Sequence, residues 1–159
     1  MPVLGSKLRM PVARRELVDR PRLTQRETSR PHLLLVSAPA GFCKTTVLTA
    51  WLSPWGDAHA RPSSARVAWL SLDAGDNDPR RFLTHLVASV QTAVPDTIVE
   101  AAALGGADGE VPAEVILTAL VNELDTADAE VVLALDDYHL IEETAVHDAV
   151  VFLLDHLPP

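Results

Sequence analysis

The sequence predicts an α/β protein whose parallel sheet is covered by helices on both faces. Three short runs, at residues 33–37, 67–72 and 131–135, are apolar at nearly every position. Helix-like patterns with one apolar face separate them. Strands of an all-parallel sheet are apolar throughout because both of their faces are buried. Hydrophobic residues make up 48% of the 159 residues, which is enough for one domain with a sizeable core.

The first predicted elements lie on either side of a loop. A strand is predicted at residues 33–37 and a helix at 44–52. Residues 53–66 carry Pro54, Gly56 and Pro62 and are predicted to form a surface connection. Residues 1–30 show little periodicity. We therefore predict a basic N-terminal lead-in at 1–30, followed by a domain at 31–159.

The later elements follow from periodicity and capping signals. The strand at 67–72 is followed by Pro79, which suits the start of a helix, with Asp78 as its N-terminal cap. Residues 96–112 are rich in Ala and Gly and are predicted to be a mobile connection. The remaining predicted elements are a helix at 113–125, a strand at 131–135 and a closing helix at 144–157.

The segment SAPAGFCKTT, at residues 37–46, is the most informative part of the chain. It joins a predicted strand to a predicted helix and ends in Lys-Thr-Thr, which is the layout of a phosphate-binding P-loop. In such a loop, backbone N–H groups surround phosphate oxygens and the positive end of the helix dipole points at them. The predicted fold class is therefore that of a P-loop NTPase, a three-layer αβα parallel sheet, incomplete, with about three strands present.

Cys43 departs from the P-loop pattern, which places glycine directly before the lysine. Glycine is needed where the backbone adopts a positive φ or approaches a phosphate closely. A Cβ in the left-handed region costs roughly 1–2 kcal/mol, or about 5- to 30-fold in affinity if the bound loop requires that conformation. Gly41 is retained, so we expect a nucleotide site with weakened binding.

Two aspartates follow the third apolar run. In P-loop proteins an acid at a strand end holds Mg²⁺, and Asp136 occupies that place, while Asp137 can orient the attacking water. Lys44 is expected to contact the β- and γ-phosphates, and Thr45 to offer its hydroxyl to Mg²⁺. The acid pair alone is a weak signal, since strand-end aspartates also cap helices, but it gains weight from the loop upstream.

Charge and cysteine content restrict the partners and the compartment. The formal net charge is −9, although residues 1–30 hold eight Lys or Arg against three acidic residues. This balance disfavours nucleic acid or an anionic membrane as a direct partner of these residues. Cys43 is the single cysteine and no apolar run reaches membrane-spanning length, so we predict a cytoplasmic protein with no membrane partner.

Two other chemistries fit the sequence less well. Cys43 lies beside Lys44 at the start of a predicted helix, a position that suits a nucleophilic thiol, but a cysteine-phosphatase loop needs arginine six residues later and Thr49 occupies that position. The six histidines show no paired metal-ligand spacing. A glycine replacement remains the simpler interpretation of Cys43.

Five segments together resemble one family. They are SKLRMP near the start, VDRPRL at 18–23, SAPAGFCKTT, VAWLSLDAGDNDPRRF at 67–82 and VVLALDDYHL at 131–140. The chain is similar over nearly its whole length to the MalT-like group of large LuxR-type, ATP-dependent transcriptional activators. These belong to the STAND class of signal-transducing P-loop NTPases. The segment at 67–82 together with the segment at 131–140 is far more specific to this family than the P-loop segment alone.

The resemblance implies a nucleotide-driven switch, in which ATP and an inducer favour a self-associating form and slow hydrolysis to ADP resets it. It implies ATP and Mg²⁺ as cofactors. It assigns Lys44 and Asp137 to catalysis and Thr45 and Asp136 to the metal. It also places two arginines of the lead-in, Arg20 and Arg22, near the nucleotide. The implied nucleotide-binding residues are Ala38, Pro39, Ala40, Gly41, Phe42, Cys43, Lys44, Thr45, Thr46 and Arg20.

The resemblance also sets what these residues are not expected to do. In the family, DNA binding belongs to a C-terminal helix-turn-helix domain, and the sheet continues with a strand between the first and third strands found here. We therefore expect an N-terminal portion of the ATPase domain, marginally stable and inactive as an ATPase by itself. Two alternatives stay open: a non-catalytic, degenerate nucleotide-binding or protein-interaction remnant, and, with less support, a small-molecule kinase.

Overall fold

A computed structural model describes most of the chain, namely residues 3–12, 32–39, 43–56, 65–106, 111–127 and 129–157. Its helices are α1 (Lys44–Gly56), α2 (Pro79–Ala93), α3 (Glu100–Gly105), α4 (Ala113–Asp125) and α5 (Thr144–His156). Its strands are β1 (Arg66–Ser71) and β2 (Val131–Asp136), and short 3-10 turns occupy Ala74–Asn77 and Tyr138–Leu140. None of the helices in these ranges is long and apolar enough to cross a membrane.

The sheet of the described residues consists of β1 and β2, which pair in parallel. Their register places Arg66 beside Val131 and Ser71 beside Asp136. Both carboxyl ends therefore meet at one edge of the sheet, which is the edge where open α/β sheets bind ligands.

Each face of the sheet packs against different partners. On one face Trp69 and Ala134 are buried with Leu52 of α1. On the other, Ala68 and Leu70 join a larger core that includes Phe82 and residues from α2, α3, α4 and α5. This division follows from strand geometry, because successive side chains point to opposite faces. The fold is α/β, as predicted, and compatible with part of a P-loop fold.

The strand predicted at residues 33–37 is wrong for this structure. Residues 32–39 have no regular secondary structure, and the side chains of Leu33 and Leu35 are 62% and 80% exposed. The described residues thus contain two strands where about three were predicted. An apolar run becomes a strand only when a neighbouring backbone pairs with it, and no described segment does so here.

Two connections also differ from prediction, whereas the other elements agree within about a residue. Helix α1 extends past Pro54 to Gly56, so the predicted start of the surface connection at residue 53 is wrong. The connection at 96–112 contains α3. Its N-terminus is capped by the Glu123 carboxylate, which accepts hydrogen bonds from the N–H groups of Val99 (2.8 Å), Glu100 (2.6 Å) and Ala101 (3.2 Å).

The described part of the lead-in, residues 3–12, is attached to the sheet. The carbonyl of Lys7 accepts a hydrogen bond of 2.9 Å from the N–H of Ser71 in β1. Residues 13–31 lie outside the described part of the chain. The division at residue 30 stays a prediction, and the early residues of the lead-in pack with the domain.

Candidate functional site

Cys43 sets the direction of the chain as it enters α1. Its φ is 55°, and the only other non-glycine residue with a positive φ among the described residues is Asp137. The carbonyl of Cys43 accepts a hydrogen bond of 3.0 Å from the N–H of Val47, so the left-handed residue begins the helical ladder. Glycine is the ordinary residue in this backbone conformation, and the P-loop pattern places glycine at this position.

The ammonium group of Lys44 is held by the loop that precedes it. Its Nζ donates to the carbonyl oxygens of Ala38 at 2.9 Å and Pro39 at 3.5 Å. These carbonyls belong to residues five and six positions before Lys44 in the sequence. Lys44 therefore places a positive charge at the N-terminus of α1, where an anion is favoured.

Thr45 links the loop to the end of β2. Its hydroxyl donates to the Asp136 carboxylate, with distances of 2.9 Å to Oδ1 and 3.1 Å to Oδ2. The two residues are separated by 91 positions in the sequence. The contact brings together the two motifs that were predicted to share a site.

The Asp136 carboxyl lies in an environment that disfavours its charge. The residue is buried, and burial is the main reason that its pKa is raised, with a smaller contribution from the nearby charge of Asp137. The Thr45 hydroxyl and the charge of Lys44 act in the opposite direction without cancelling burial. A buried carboxylate beside a hydroxyl and an ammonium group is a typical feature of functional sites.

Asp137 follows directly and has a different environment. Its backbone is left-handed (φ 59°, ψ 30°), and its side chain is about half exposed. Its Oδ1 lies 3.7 Å from Nδ1 of His139. The carboxylate is therefore accessible to solvent at the same sheet edge as Asp136, where it can accept a hydrogen bond from water.

The Thr45 hydroxyl and the Asp136 carboxylate fit a magnesium ion that is bound together with phosphates. Within the described ranges, no three His, Cys, Asp or Glu side chains cluster as a metal site of their own. Mg²⁺ in phosphate sites takes only one or two protein ligands, because phosphates and waters supply the others. The Thr45 hydroxyl and the Asp136 carboxylate supply oxygen ligands of the kind that Mg²⁺ prefers.

Some predicted site residues cannot be placed. Arg20, Ala40, Gly41 and Phe42 lie outside the described residues. Thr46 lies in the first turn of α1, where its carbonyl accepts a hydrogen bond from the Thr49 hydroxyl at 3.0 Å. The structure thus brings together Ala38, Pro39, Lys44, Thr45 and Asp136 through direct contacts, which places the two motifs at one sheet edge.

Sequence reasoning missed a buried charge cluster around Asp76. This residue is fully buried, and its carboxylate accepts hydrogen bonds from Lys7 Nζ, from the N–H of Asp73 (2.8 Å) and from His85 Nδ1 (2.7 Å). Burial opposes its ionisation, but the bonds from Lys7, Asp73 and His85 together hold its pKa below the usual value. The Arg81 guanidinium lies alongside, with Nε 3.5 Å from Asp76 Oδ1.

The structure explains the polar run that contains Asp76. Asp73 caps the 3-10 turn through the N–H of Gly75 at 2.8 Å, and Asp78 caps α2 through the N–H of Arg81 at 2.9 Å, which confirms the predicted cap. The buried partner of Asp76 is Lys7, which belongs to SKLRMP, one of the five segments that carry the family resemblance. No local rule, however, joins Lys7 to a position 69 residues away.

Fold and site together define an α/β protein in which a basic loop, a hydroxyl and a strand-end carboxylate converge at the carboxyl edge of a parallel sheet. No protein-family model matches the chain. The chain is 34% identical over 158 residues to the HTH-type transcriptional regulator MalT of Yersinia enterocolitica serotype O:8 / biotype 1B. That alignment covers 98% of this chain and 16% of the relative.

Further relatives with the same description give the same result. MalT of Yersinia pestis (strain Pestoides F) and of Yersinia pseudotuberculosis serotype O:1b (strain IP 31758) are each 33% identical over 158 residues. The chain again spans 16% of their length. It is therefore homologous to a part of the MalT-type transcriptional regulators.

Proposed function

We propose that this chain is the ATP-binding portion of a STAND-type signal-transducing ATPase that regulates transcription. The observation that carries the proposal is the hydrogen bond between the Thr45 hydroxyl and Asp136, at 2.9 Å, across 91 residues of sequence. A hydroxyl at the start of a helix and an acid at a strand end are the two protein groups that hold Mg²⁺ in P-loop NTPases. Homology to MalT regulators over 98% of the chain supports the regulatory class.

Each residue then has a distinct role. Lys44, now bonded to loop carbonyls, would exchange these for phosphate oxygens of ATP and neutralise their charge. Thr45 and Asp136 would hold Mg²⁺, which neutralises developing charge on the phosphates. Asp137 is solvent-accessible and would orient a water molecule. The fold in this proposal is the three-layer P-loop NTPase arrangement, supported by α1 on one sheet face and α2 on the other.

The partners in this proposal are ATP and ADP, with self-association of the full-length protein in its ATP-bound form. DNA would be contacted by residues outside this chain, since the net charge of −9 disfavours DNA as a direct partner of these residues. A transcription regulator of this class acts in the cytoplasm, and the single cysteine is consistent with a reducing compartment.

A second candidate function is a non-catalytic, degenerate nucleotide-binding or interaction module. The left-handed conformation of Cys43 favours it, because a Cβ in that conformation strains the backbone at the start of α1. The two functions differ in one measurable property. A working switch hydrolyses ATP slowly, whereas a remnant binds weakly or not at all and does not turn over.

The test uses the full-length gene product, as the natural protein and as Cys43→Gly. ATP affinity is measured by titration with a fluorescent ATP analogue, and hydrolysis by single-turnover release of phosphate. In the Cys43→Gly background, Lys44→Ala is expected to weaken binding by at least about tenfold. Asp137→Asn should leave affinity within about threefold and reduce turnover by about a hundredfold or more.

Asp148→Asn is the matched control for Asp137→Asn, because Asp148 is an exposed aspartate on α5. It should change neither affinity nor turnover. If Asp137→Asn hydrolyses ATP as fast as this control, Asp137 has no role in the reaction. If neither the natural protein nor Cys43→Gly binds ATP, the non-catalytic module replaces the proposed ATPase function.

A further inference from the structure

The side chain of Asn77 joins two separate segments of the chain. From the end of the 3-10 turn Ala74–Asn77, its Nδ2 donates to the carbonyl of Leu140 at 2.9 Å and to that of Ala74 at 3.1 Å. Its Oδ1 accepts from the N–H groups of Glu142 at 2.7 Å and Glu143 at 3.0 Å. Asn77 therefore fixes the backbone that lies between the second aspartate of the site and α5.

These four hydrogen bonds use the full capacity of an asparagine side chain, which has two N–H donors and an oxygen with two lone pairs. The backbone N–H groups of Glu142 and Glu143 require the oxygen on their side, so the orientation of the amide is determined by its partners. Aspartate has the same shape but would place an oxygen against the Leu140 carbonyl. No other residue of this size offers both functions.

The segment that Asn77 holds begins at Asp137. The carbonyl of Asp137 accepts from the N–H of Leu140 at 3.0 Å, and that of Tyr138 accepts from the N–H of Ile141 at 3.1 Å. The 3-10 turn Tyr138–Leu140 thus follows directly from the left-handed Asp137. Because a left-handed aspartate persists only where surrounding contacts hold it, the turn helps to set the direction of its carboxylate.

The turn that carries Asn77 is itself firmly anchored. Asp76, the preceding residue, is fully buried and is bonded to Lys7 and His85. Asn77 therefore extends from a well-anchored turn to the backbone of residues 140–143. A side chain on a rigid element positions a catalytic group better than one on a loop.

We propose that Asn77 is a positioning residue that holds the backbone after Asp137 and thereby keeps the Asp137 carboxylate directed at its water. This inference rests on the proposed function of Asp137 in ATP hydrolysis. It differs from that function because it assigns a role to a residue that contacts neither nucleotide nor metal. Its effect belongs to turnover and not to nucleotide affinity.

The experiment compares Asn77→Ala and Asn77→Asp in the full-length gene product, in the natural and the Cys43→Gly backgrounds. Asn122→Ala, an asparagine replacement on α4, is the matched control. The first measurement is amide hydrogen exchange in peptides that cover residues 138–143. Asn77→Ala should speed exchange at Glu142 and Glu143 by about tenfold or more, whereas the control should not.

The second measurement separates turnover from binding. Asn77→Ala should lower single-turnover hydrolysis by about tenfold or more and leave ATP affinity within about threefold. Asn77→Asp keeps the two accepted hydrogen bonds but sets an oxygen against the Leu140 and Ala74 carbonyls, so its turnover should also fall below that of the parent. This isosteric variant also provides a test if Asn77→Ala fails to fold.

The outcomes are distinguishable. Unchanged exchange at residues 138–143 overturns the positioning role, even in a protein that hydrolyses ATP. Parallel losses of affinity and turnover also overturn it, because they indicate a general structural role. Faster exchange in a protein that neither binds nor hydrolyses ATP in either background would refute the proposed function while upholding the hold of Asn77 on the loop.

Discussion

Replacing Cys43 by glycine is expected to stabilise the ligand-free protein by about 0.5–1 kcal/mol. The φ of 55° places a Cβ in the left-handed region, which costs roughly 1–2 kcal/mol. Glycine removes that strain but gives the unfolded chain more freedom, which offsets about 0.5–1 kcal/mol of the gain. For a chain of 159 residues the net effect corresponds to a rise in melting temperature of roughly 1–4 °C.

The same replacement should strengthen ATP binding several-fold, because the Cβ of Cys43 would also crowd a phosphate in the loop. The assay is titration of the full-length gene product with a fluorescent ATP analogue, alongside thermal melts without nucleotide. Cys43→Ala is the informative control, since it keeps the Cβ and removes only the sulfur. It should melt close to the natural protein and bind ATP little better.

Two results would refute this reasoning. Equal melting temperatures for the natural protein and Cys43→Gly would show that the left-handed residue carries no net strain. Equal gains in ATP affinity for Cys43→Ala and Cys43→Gly would assign the effect to the sulfur atom and not to the Cβ. Each result contradicts a separate part of the argument.

Two further replacements test the buried carboxylates. Asp136→Asn should raise the melting temperature of the ligand-free protein at pH 7. Burial raises the pKa of this carboxyl above its ordinary 3.8, so its contribution to stability is lost as pH rises through the folded value, and an amide oxygen still accepts from Thr45. A lower melting temperature would contradict this prediction. Lys7→Met should destabilise the fold by about 1–3 kcal/mol in urea unfolding, because it removes the ammonium group that donates to the buried Asp76 carboxylate while His85 and Arg81 stay beside it. The exposed Arg9→Met should cost little. Because folding lowers the pKa of Asp76, its contribution to stability is fully present above pH 3.8 and is lost as pH falls through the lower folded value. Lys7→Met should therefore unfold at a higher pH on acid titration. An unchanged acid midpoint would count against the pairing of Lys7 with Asp76.

Most elements could be predicted because their signals are local. Strands β1 and β2 are continuous apolar runs of the length typical of buried strands. Asp78 and Pro79 predict the start of helix α2, and apolar residues at helical spacing predict α4 and α5. The pairing of Thr45 with Asp136 was predictable for another reason: both belong to motifs whose chemistry requires them to meet.

The misses involve partners that are distant in sequence. Residues 33–37 have the composition of a strand, but strand formation depends on a neighbouring backbone and Leu35 remains 80% exposed. Helix α3 is short and receives its cap from Glu123, which lies in another helix. The attachment of Lys7 to Asp76 is equally non-local. Hydrophobic periodicity and the positions of Gly, Pro and capping residues carry no information about partners that are distant in sequence.

The pairing of Lys7 with Asp76 has a consequence for how sequences of this kind can diverge. Removing Lys7 alone deprives the buried Asp76 carboxylate of its ammonium partner, while exchanging both residues for apolar ones of similar volume should cost less. A lineage that loses the lysine should therefore lose the aspartate soon afterwards, along with His85 as its polar neighbour. Positions 7 and 76 should be inherited as a pair, which would tie the amino terminus and the turn after β1 together as one evolutionary unit.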